Sequence, residues 1–307
     1  MKPSRLQPHI FTNISELMRH LDLPKPLHPL VVLLNSGNVQ IPSEDVGRGF
    51  IIDFYKISFK KDFRGQVKYG QGYYDFEEGG LAFIAPNQIV IGSVQEKDYE
   101  GYTLYFHPDL IRNHPLGKTF SKYGFFSYAV AEALFLSDKE KKTITLLFEA
   151  MVQELENPID LFSQDVIISQ IELLLSYSNR YYNRQFITRK AVYNDLIDKM
   201  ENYLSGCFSV KESLLSGLPS VQDVADHLEV SPRYLTDMLK SLTGQSTQQH
   251  IHTKLIEKAK DILSTGNSTI AEIAYQLGFE HPQSFNKLFR QKTKMSPVAY
   301  RKSITNS

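Results

Sequence analysis

Two clusters of polar side chains, fifty residues apart, carry the chemistry most readily available to this chain. Arg233, Thr236, Asp237 and Lys240 fall on the outward side of one predicted helix, and Gln283, Asn286, Lys287 and Arg290 on the outward side of another, where His281 and Ser284 are further candidates. Arg, Lys, Asn, Gln and Thr are the side chains whose donors and acceptors match base edges and phosphate oxygens. Such a set suits reading of a duplex rather than bond-breaking. The competing reading is an all-helical bundle whose polar faces are only solvated. Asp237 has its own alternative, pairing with Arg233 or Lys240 to orient it rather than accepting a hydrogen bond from cytosine.

The elements that must position these residues form one pattern written twice. Thr269 to Phe279 echoes Ser220 to Val230, Ser284 to Phe289 echoes Tyr234 to Leu239, and Ser246 and Ser296, each after a Thr (Thr243, Thr293), close the copies. The offset is 49 residues from Ala225 to Ala274 and 50 from Leu239 to Phe289, so the second copy holds one extra residue in its turn. Each copy reads as helix, short turn, helix. Ser220 with Asp223, and Thr269 with Glu272, make capping boxes. Small Ala225 and Ala274 lie where two helices must cross closely. Gly278 accepts positive φ in the turn; the first copy departs from the pattern with Glu229. Ser231-Pro232 starts one second helix and His281-Pro282 the other. Leu235, Met238, Leu239 and Leu242, and Phe285, Leu288 and Phe289, form the inward stripes. A generic bundle does not repeat its turn chemistry at a fixed interval. Ile251, Leu255, Ala259, Ile262 and Leu263 mark a linker helix between the copies, and two second helices roughly 34 Å apart would reach successive major grooves.

Residues from about Leu218 to Arg301 resemble the AraC/XylS-type DNA-binding domain. The resemblance is most specific from Ile273 through Phe279 and Ser284 through Phe289 to Met295-Ser296-Pro297-Val298-Ala299-Tyr300-Arg301. It implies double-stranded promoter DNA as partner and transcriptional control as function, with RNA polymerase a candidate further partner. Matching its pattern residue by residue puts Arg233, Thr236 and Asp237 at base-facing positions of the first recognition helix. His281, Gln283, Asn286 and Lys287 take those positions on the second, with Arg290 on phosphate.

Charge agrees with a moderate rather than a massive attraction to DNA. The chain of 307 residues holds 34 Lys and Arg against 34 Asp and Glu. From Leu218 onward the counts are 11 and 8, a balance of +3, which leaves 23 and 26, a balance of −3, before it. DNA affinity should therefore be salt-sensitive. The single Cys207 excludes an internal disulfide and fits a reducing compartment. No apolar run follows the N-terminus and none is long enough to span a bilayer, so the expected location is the cytoplasm, with no membrane partner.

The first half is a different object. Leu30 to Leu34, Phe50 to Phe59, Val67 to Phe76, Leu81 to Ile84, Ile89 to Ile91 and Tyr102 to Phe106 read as short strands separated by Gly, Pro, Asp and Asn clusters. Strands at this spacing imply a small sandwich or barrel. Regulators of the resembled family often carry a cupin-like barrel here. Metal-binding cupins pair two His on a strand, but Tyr69 to Glu77 holds no His, and His107 and His114 stand alone. His250 and His252 point to different faces of a predicted helix. No metal and no cofactor is expected. Tyr55, Tyr69, Tyr73 and Tyr74 either line a small-molecule cavity or are core and rim aromatics.

From Asp138 to Phe186 the period becomes helical. Ile144, Leu147, Phe148, Met151, Val152 and Leu155 mark one helix, and Leu161, Ile167, Ile168, Ile171, Leu174, Leu175, Tyr177 and Tyr181 a second. That apolar surface exceeds what packing on a barrel absorbs, and a homodimer is expected, with Ile171 and Leu174 in the buried stripe. The expected fold is thus α+β. A small N-terminal β-barrel (about 30–106) with a helical dimerisation segment (about 138–186) forms an effector-binding and dimerisation domain over 1–186. A hinge at 187–192 follows, then an all-α domain over 193–307 of two helix-turn-helix units joined by a linker helix. The reading is a non-enzymatic transcription regulator modulated by an unidentified small molecule or by dimerisation. The alternative is a DNA-repair or metal-cupin enzyme domain tethered to a DNA-binding module; a lone Cys207 in a predicted linker counts against it.

Overall fold

Residues rich in β-branched and aromatic types bury both sides of a five-stranded sheet at the centre of the N-terminal unit. The computed structural model describes residues 8–35, 49–63, 66–69, 72–75, 79–91, 99–129, 132–208, 217–266 and 268–305. The chain divides into two units, Met1–Gln185 and Phe186–Ser307.

In the first unit, β1 (His9–Phe11) and α1 (Ile14–His20) precede β2 (Val31–Asn35), β3 (Gly49–Ile52), β4 (Tyr55–Phe63), β5 (Gln66–Tyr69), β6 (Gly72–Asp75), β7 (Gly80–Ile84), β8 (Ile89–Ile91), β9 (Tyr99–Phe106) and β10 (Leu134–Phe135). Strand β4 is central in the order β10-β7-β4-β9-β2, and Ile57 lies opposite Phe83 on one side and Leu104 on the other. Its alternation puts Ile57 and Phe59 on one face and Ser58 and Lys60 on the other, all buried. The strand expected over Phe50–Phe59 is two strands, because β3 pairs with β1 and β8 in a separate sheet. The chain changes sheets at Asp53 and Phe54, and Phe54 is fully buried there. Likewise the strand expected over Val67–Phe76 is two antiparallel strands, with Gln66 opposite Asp75 and Tyr69 opposite Gly72; Phe76 lies outside the described residues. Among the described residues the strands form sheets of five, three and two, and no closed barrel.

The segment before Leu30 joins this core. Phe11, Ile14, Leu17 and Met18 pack with Val32, Ile52, Phe54, Ile84 and Tyr105. The lone histidines His107 and His114 each cap a short helix. In α2 (Pro108–Ile111) the His107 Nδ1 accepts from the Asp109 N–H, and in α3 (Pro115–Thr119) the His114 Nδ1 accepts from the Leu116 N–H, both at 3.2 Å. Tyr55 is half-buried, stacking on Phe106 and tilting against Phe120. The side chains of Tyr69, Tyr73 and Tyr74 lie outside the described residues.

Helix α4 (Asp138–Glu156) opens on a capping box of Ser137 and Glu140 and docks through Phe148, which stacks on both Phe59 and Tyr102. Helix α5 (Ser163–Thr188) buries Ile167, Ile168, Ile171, Leu174 and Leu175. Arg184 of α5 grips both carboxylate oxygens of Glu140 at 3.0 and 2.7 Å. Leu161, expected within this helix, lies before it and is 93% exposed. The expected hinge is helical except at Arg189, where α5 gives way to α6 (Lys190–Cys207). Cys207, expected in a linker, is the last residue of α6 and half-buried.

The second unit continues with α7 (Val221–His227), α8 (Pro232–Thr243), α9 (Thr247–Thr265), α10 (Ile270–Gln276), α11 (Pro282–Thr293) and α12 (Pro297–Thr305). Its core draws on α6 to α11, including Met200, Leu204, Val224, Leu235, Met238, Leu255, Ala259, Ile273, Phe285 and Phe289. No helix among the described residues is long and apolar enough to cross a membrane.

Candidate nucleic-acid interface

The two copies fold alike down to individual hydrogen bonds. Ser220 and Thr269 each accept from the backbone N–H three residues on, and Asp223 and Glu272 each reach back to the cap's own N–H, at 2.8 and 2.7 Å. Those bonds favour the ionised form and hold both carboxyls below their ordinary range. Ala225 and Ala274 are fully buried beneath the second helix of each copy, as close crossing demands. The turns close identically, with the Val230 N–H on the Ala225 carbonyl and the Phe279 N–H on the Ala274 carbonyl, both at 3.0 Å.

At the bend of each turn the backbone is left-handed, with φ +57° at Glu229 and +87° at Gly278. The departure noted in the sequence leaves the geometry intact and puts a Cβ into a conformation that costs about 1–2 kcal/mol. Glu229→Gly should therefore stabilise the second unit by about 0.5–1 kcal/mol, the relief exceeding glycine's extra chain entropy. Chemical denaturation of the two proteins side by side checks this, and a loss of stability would show that Glu229 holds a compensating contact. The extra residue of the second copy is Glu280, between Phe279 and the cap His281. Ser231 caps α8 by accepting from the Tyr234 N–H, whereas His281 caps α11 with no side-chain bond.

The repeated threonines and serines close the copies in the same way. Thr243 and Thr293 donate to the Leu239 and Phe289 carbonyls, both at 2.8 Å, and accept the N–H of Gln245 and Met295. Ser246 then caps α9 and Ser296 caps α12. Glycine is used differently in the two copies. Gly244 ends α8 at φ +74°, and Lys294 takes that place after α11 at φ +63°.

Buried Leu235, Met238 and Leu239, and Phe285 and Phe289, turn the opposite faces of α8 and α11 outward. Outward positions recur at the same spacing, so Arg233, Thr236, Asp237 and Lys240 correspond to Gln283, Asn286, Lys287 and Arg290. On α11 all four are exposed, as are His281 and Ser284. On α8 only Arg233 and Lys240 are exposed. Asp237 accepts from the Arg233 Nε at 2.8 Å, and the Thr236 hydroxyl lies 3.0 Å from that of fully buried Thr247. The intramolecular pairing of Asp237 weighed in the sequence is thus present. Tyr234 had no assigned role in the sequence. Its hydroxyl meets that of Tyr193 at 3.0 Å in a buried pair, and Phe186 packs edge-on against its ring. No spacing rule exposes that contact, since 41 residues separate the partners.

His250 and His252 make separate contacts, His250 to Thr243 at 2.9 Å and His252 to Gln248 at 2.8 Å. Burial lowers the pKa of both, which keeps them neutral donors or acceptors near neutral pH.

One family model fits each unit. The model of a helix-turn-helix domain matches residues 224–303, and that of an AraC-like ligand-binding domain matches 53–169. The raffinose operon transcriptional regulatory protein RafR of Pediococcus pentosaceus is 32% identical over 104 residues, covering 34% of this chain and 33% of RafR. The HTH-type transcriptional regulator YfiF of Bacillus subtilis is 25% identical over 170 residues, 53% of this chain and 51% of YfiF. The HTH-type transcriptional activator RhaS of Escherichia coli is 26% identical over 146 residues, 47% and 48% of the two chains. The chain thus spans a third to a half of the length of these relatives. With congruent helix-turn-helix units after a β-rich unit, and a family model on each part, the chain belongs to the AraC/XylS-type regulators.

Proposed function

We propose that the protein is a sequence-specific, DNA-binding transcriptional regulator that inserts α8 and α11 into major grooves of promoter DNA. The observation that carries the reading is the congruence of the two copies: the same first-helix caps, turns and buried stripes occur twice in one folded unit. Arg233, Thr236, Asp237, Lys240, His281, Gln283, Ser284, Asn286, Lys287 and Arg290 are the proposed contacting residues. The β-rich unit is proposed to bind a small-molecule effector within a cupin-like arrangement and to support a homodimer. The exposed apolar side chains near the start of α5 favour the second role. No catalytic step is proposed. RNA polymerase and the cytoplasm remain the proposed partner and location.

Enrichment of binding duplexes from a random library by the full-length chain, followed by footprinting, tests this. Two protected major-groove segments about one helical turn apart are expected for each protomer. A single short footprint, unchanged when α10 to α12 are removed, would overturn the reading.

A further inference from the structure

The two helix-turn-helix copies are alike in geometry and opposite in net charge. Residues 220–244 set Arg233 and Lys240 against Asp223, Asp226, Glu229 and Asp237, a net charge of −2. Residues 269–294 set Lys287, Arg290, Lys292 and Lys294 against Glu272 and Glu280, a net charge of +2. Within the outward stripes one position is reversed, Asp237 standing where the second copy has Lys287, so that Arg233, Lys240 and Asp237 give +1 against +2 from Lys287 and Arg290. Attraction to any duplex comes from cations near phosphates, so the second copy gains more of it than the first, whose Asp223, Asp226, Glu229 and Asp237 offset its two cations.

The first helix nonetheless holds one cation in a fixed pose. Asp237 lies one turn beyond Arg233 and takes its Nε at 2.8 Å. With Nε occupied, the two terminal nitrogens of the guanidinium remain to be aimed as a fork, and a fork matches the paired acceptors O6 and N7 of guanine. The carboxylate is 23% exposed in its side chain and Arg233 is 45% exposed, so the carboxylate sits behind the group it aims.

Resting on the DNA-binding reading above, we infer that the units divide the work. The second unit supplies sequence-independent phosphate affinity. The acidic first unit adds discrimination, through Arg233 reading a guanine in the major groove and Asp237 acting as its positioning residue. Asp237 also makes docking of the first unit on a wrong sequence unfavourable, because an unmatched site leaves a carboxylate facing phosphates without return.

The test uses the full-length chain, a duplex enriched from a random library and a scrambled duplex of equal composition, titrated over a salt series. Lys287→Ala and Arg290→Ala should weaken both duplexes by the same factor and lower the salt slope by about one each. Arg233→Ala should weaken the enriched duplex by about 5- to 150-fold while the scrambled one stays within about twofold. Arg233→Lys, which keeps the charge and loses the fork, should do the same. Asp237→Asn should tighten the scrambled duplex and, when enrichment is repeated, flatten the guanine preference under the first unit; Asp237→Glu should restore that preference. Equal weakening of both duplexes by Arg233→Ala, sparing of the scrambled duplex by Lys287→Ala, or an unchanged base preference in Asp237→Asn would each overturn the division. Failure of the wild-type chain to enrich any duplex would instead remove the DNA-binding reading, and the division with it.

Discussion

Ile171→Glu and Leu174→Glu, singly or together, are expected to unfold the N-terminal unit rather than to separate a dimer. Both side chains are fully buried within one chain, 0% exposed. A carboxylate there must either remain charged in an apolar surround or take up a proton, and the leucine or isoleucine packing is lost in addition. Together these place each substitution at about 4 kcal/mol or more, the range reserved for core disruption. Loss of near-ultraviolet circular dichroism and a lower melting temperature check the claim. The apolar side chains left for a partner are others: Leu161 and Phe162, 93% and 70% exposed, with Ile159, Val166 and Leu173. Leu161→Glu with Leu173→Glu should leave monomer stability within about 0.5 kcal/mol. Sedimentation velocity then decides whether they also lower the mass of a dimer. A folded, soluble Leu174→Glu protein would show that α5 packs otherwise than described.

The α5 stripe expected to be buried is buried, with Ile171 and Leu174 both 0% exposed, but the sequence left open what covers it. Periodicity reports which residues share a face, not what covers it. Phe148 of α4 stacks on Phe59 and Tyr102, and the α5 stripe is buried within the same chain, while Leu161, Phe162, Val166 and Leu173 stay exposed. Strand positions were legible as β-type runs, but their sheets were not. The split at Asp53 and Phe54 depends on which distant strands β3 and β4 meet, and nothing local to Phe50–Phe59 encodes that. The helix-turn-helix units were legible almost to the residue because caps, turns and stripes are local and occur twice. The second copy corroborated each feature of the first. What remained hidden in the candidate site were contacts across the fold, Tyr193 to Tyr234 and Thr236 to Thr247, whose partners are too far apart or too ordinary in type to stand out.

Gly278→Ala is expected to cost the C-terminal unit about 2–4 kcal/mol, against a smaller loss for Gly217→Ala. Both glycines have positive φ, +87° and +72°. An added Cβ therefore carries backbone strain of about 1–2 kcal/mol at either place. The two differ in what that Cβ would meet. At Gly278 it would lie 2.8 Å from the Gly217 carbonyl carbon and 3.0 Å from the Leu218 nitrogen, both main-chain atoms that cannot swing aside. At Gly217 the nearest atom is the Gly278 carbonyl oxygen at 3.9 Å, an ordinary contact. The segment entering the first copy thus leans on the turn of the second, and only a bare Cα lets it approach. The difference between the two substitutions isolates the steric part, about 1–3 kcal/mol for forced overpacking. Chemical denaturation followed by hydrogen exchange over 217–305 measures both. Gly278→Ala should also weaken DNA binding, because α10 and α11 are joined through this turn and a shift there re-aims Gln283, Asn286 and Lys287. Equal stability of the two variants would mean that the approach of Gly217 to Gly278 is not a constraint on the fold, and that the turn tolerates a side chain as the first copy does at Glu229.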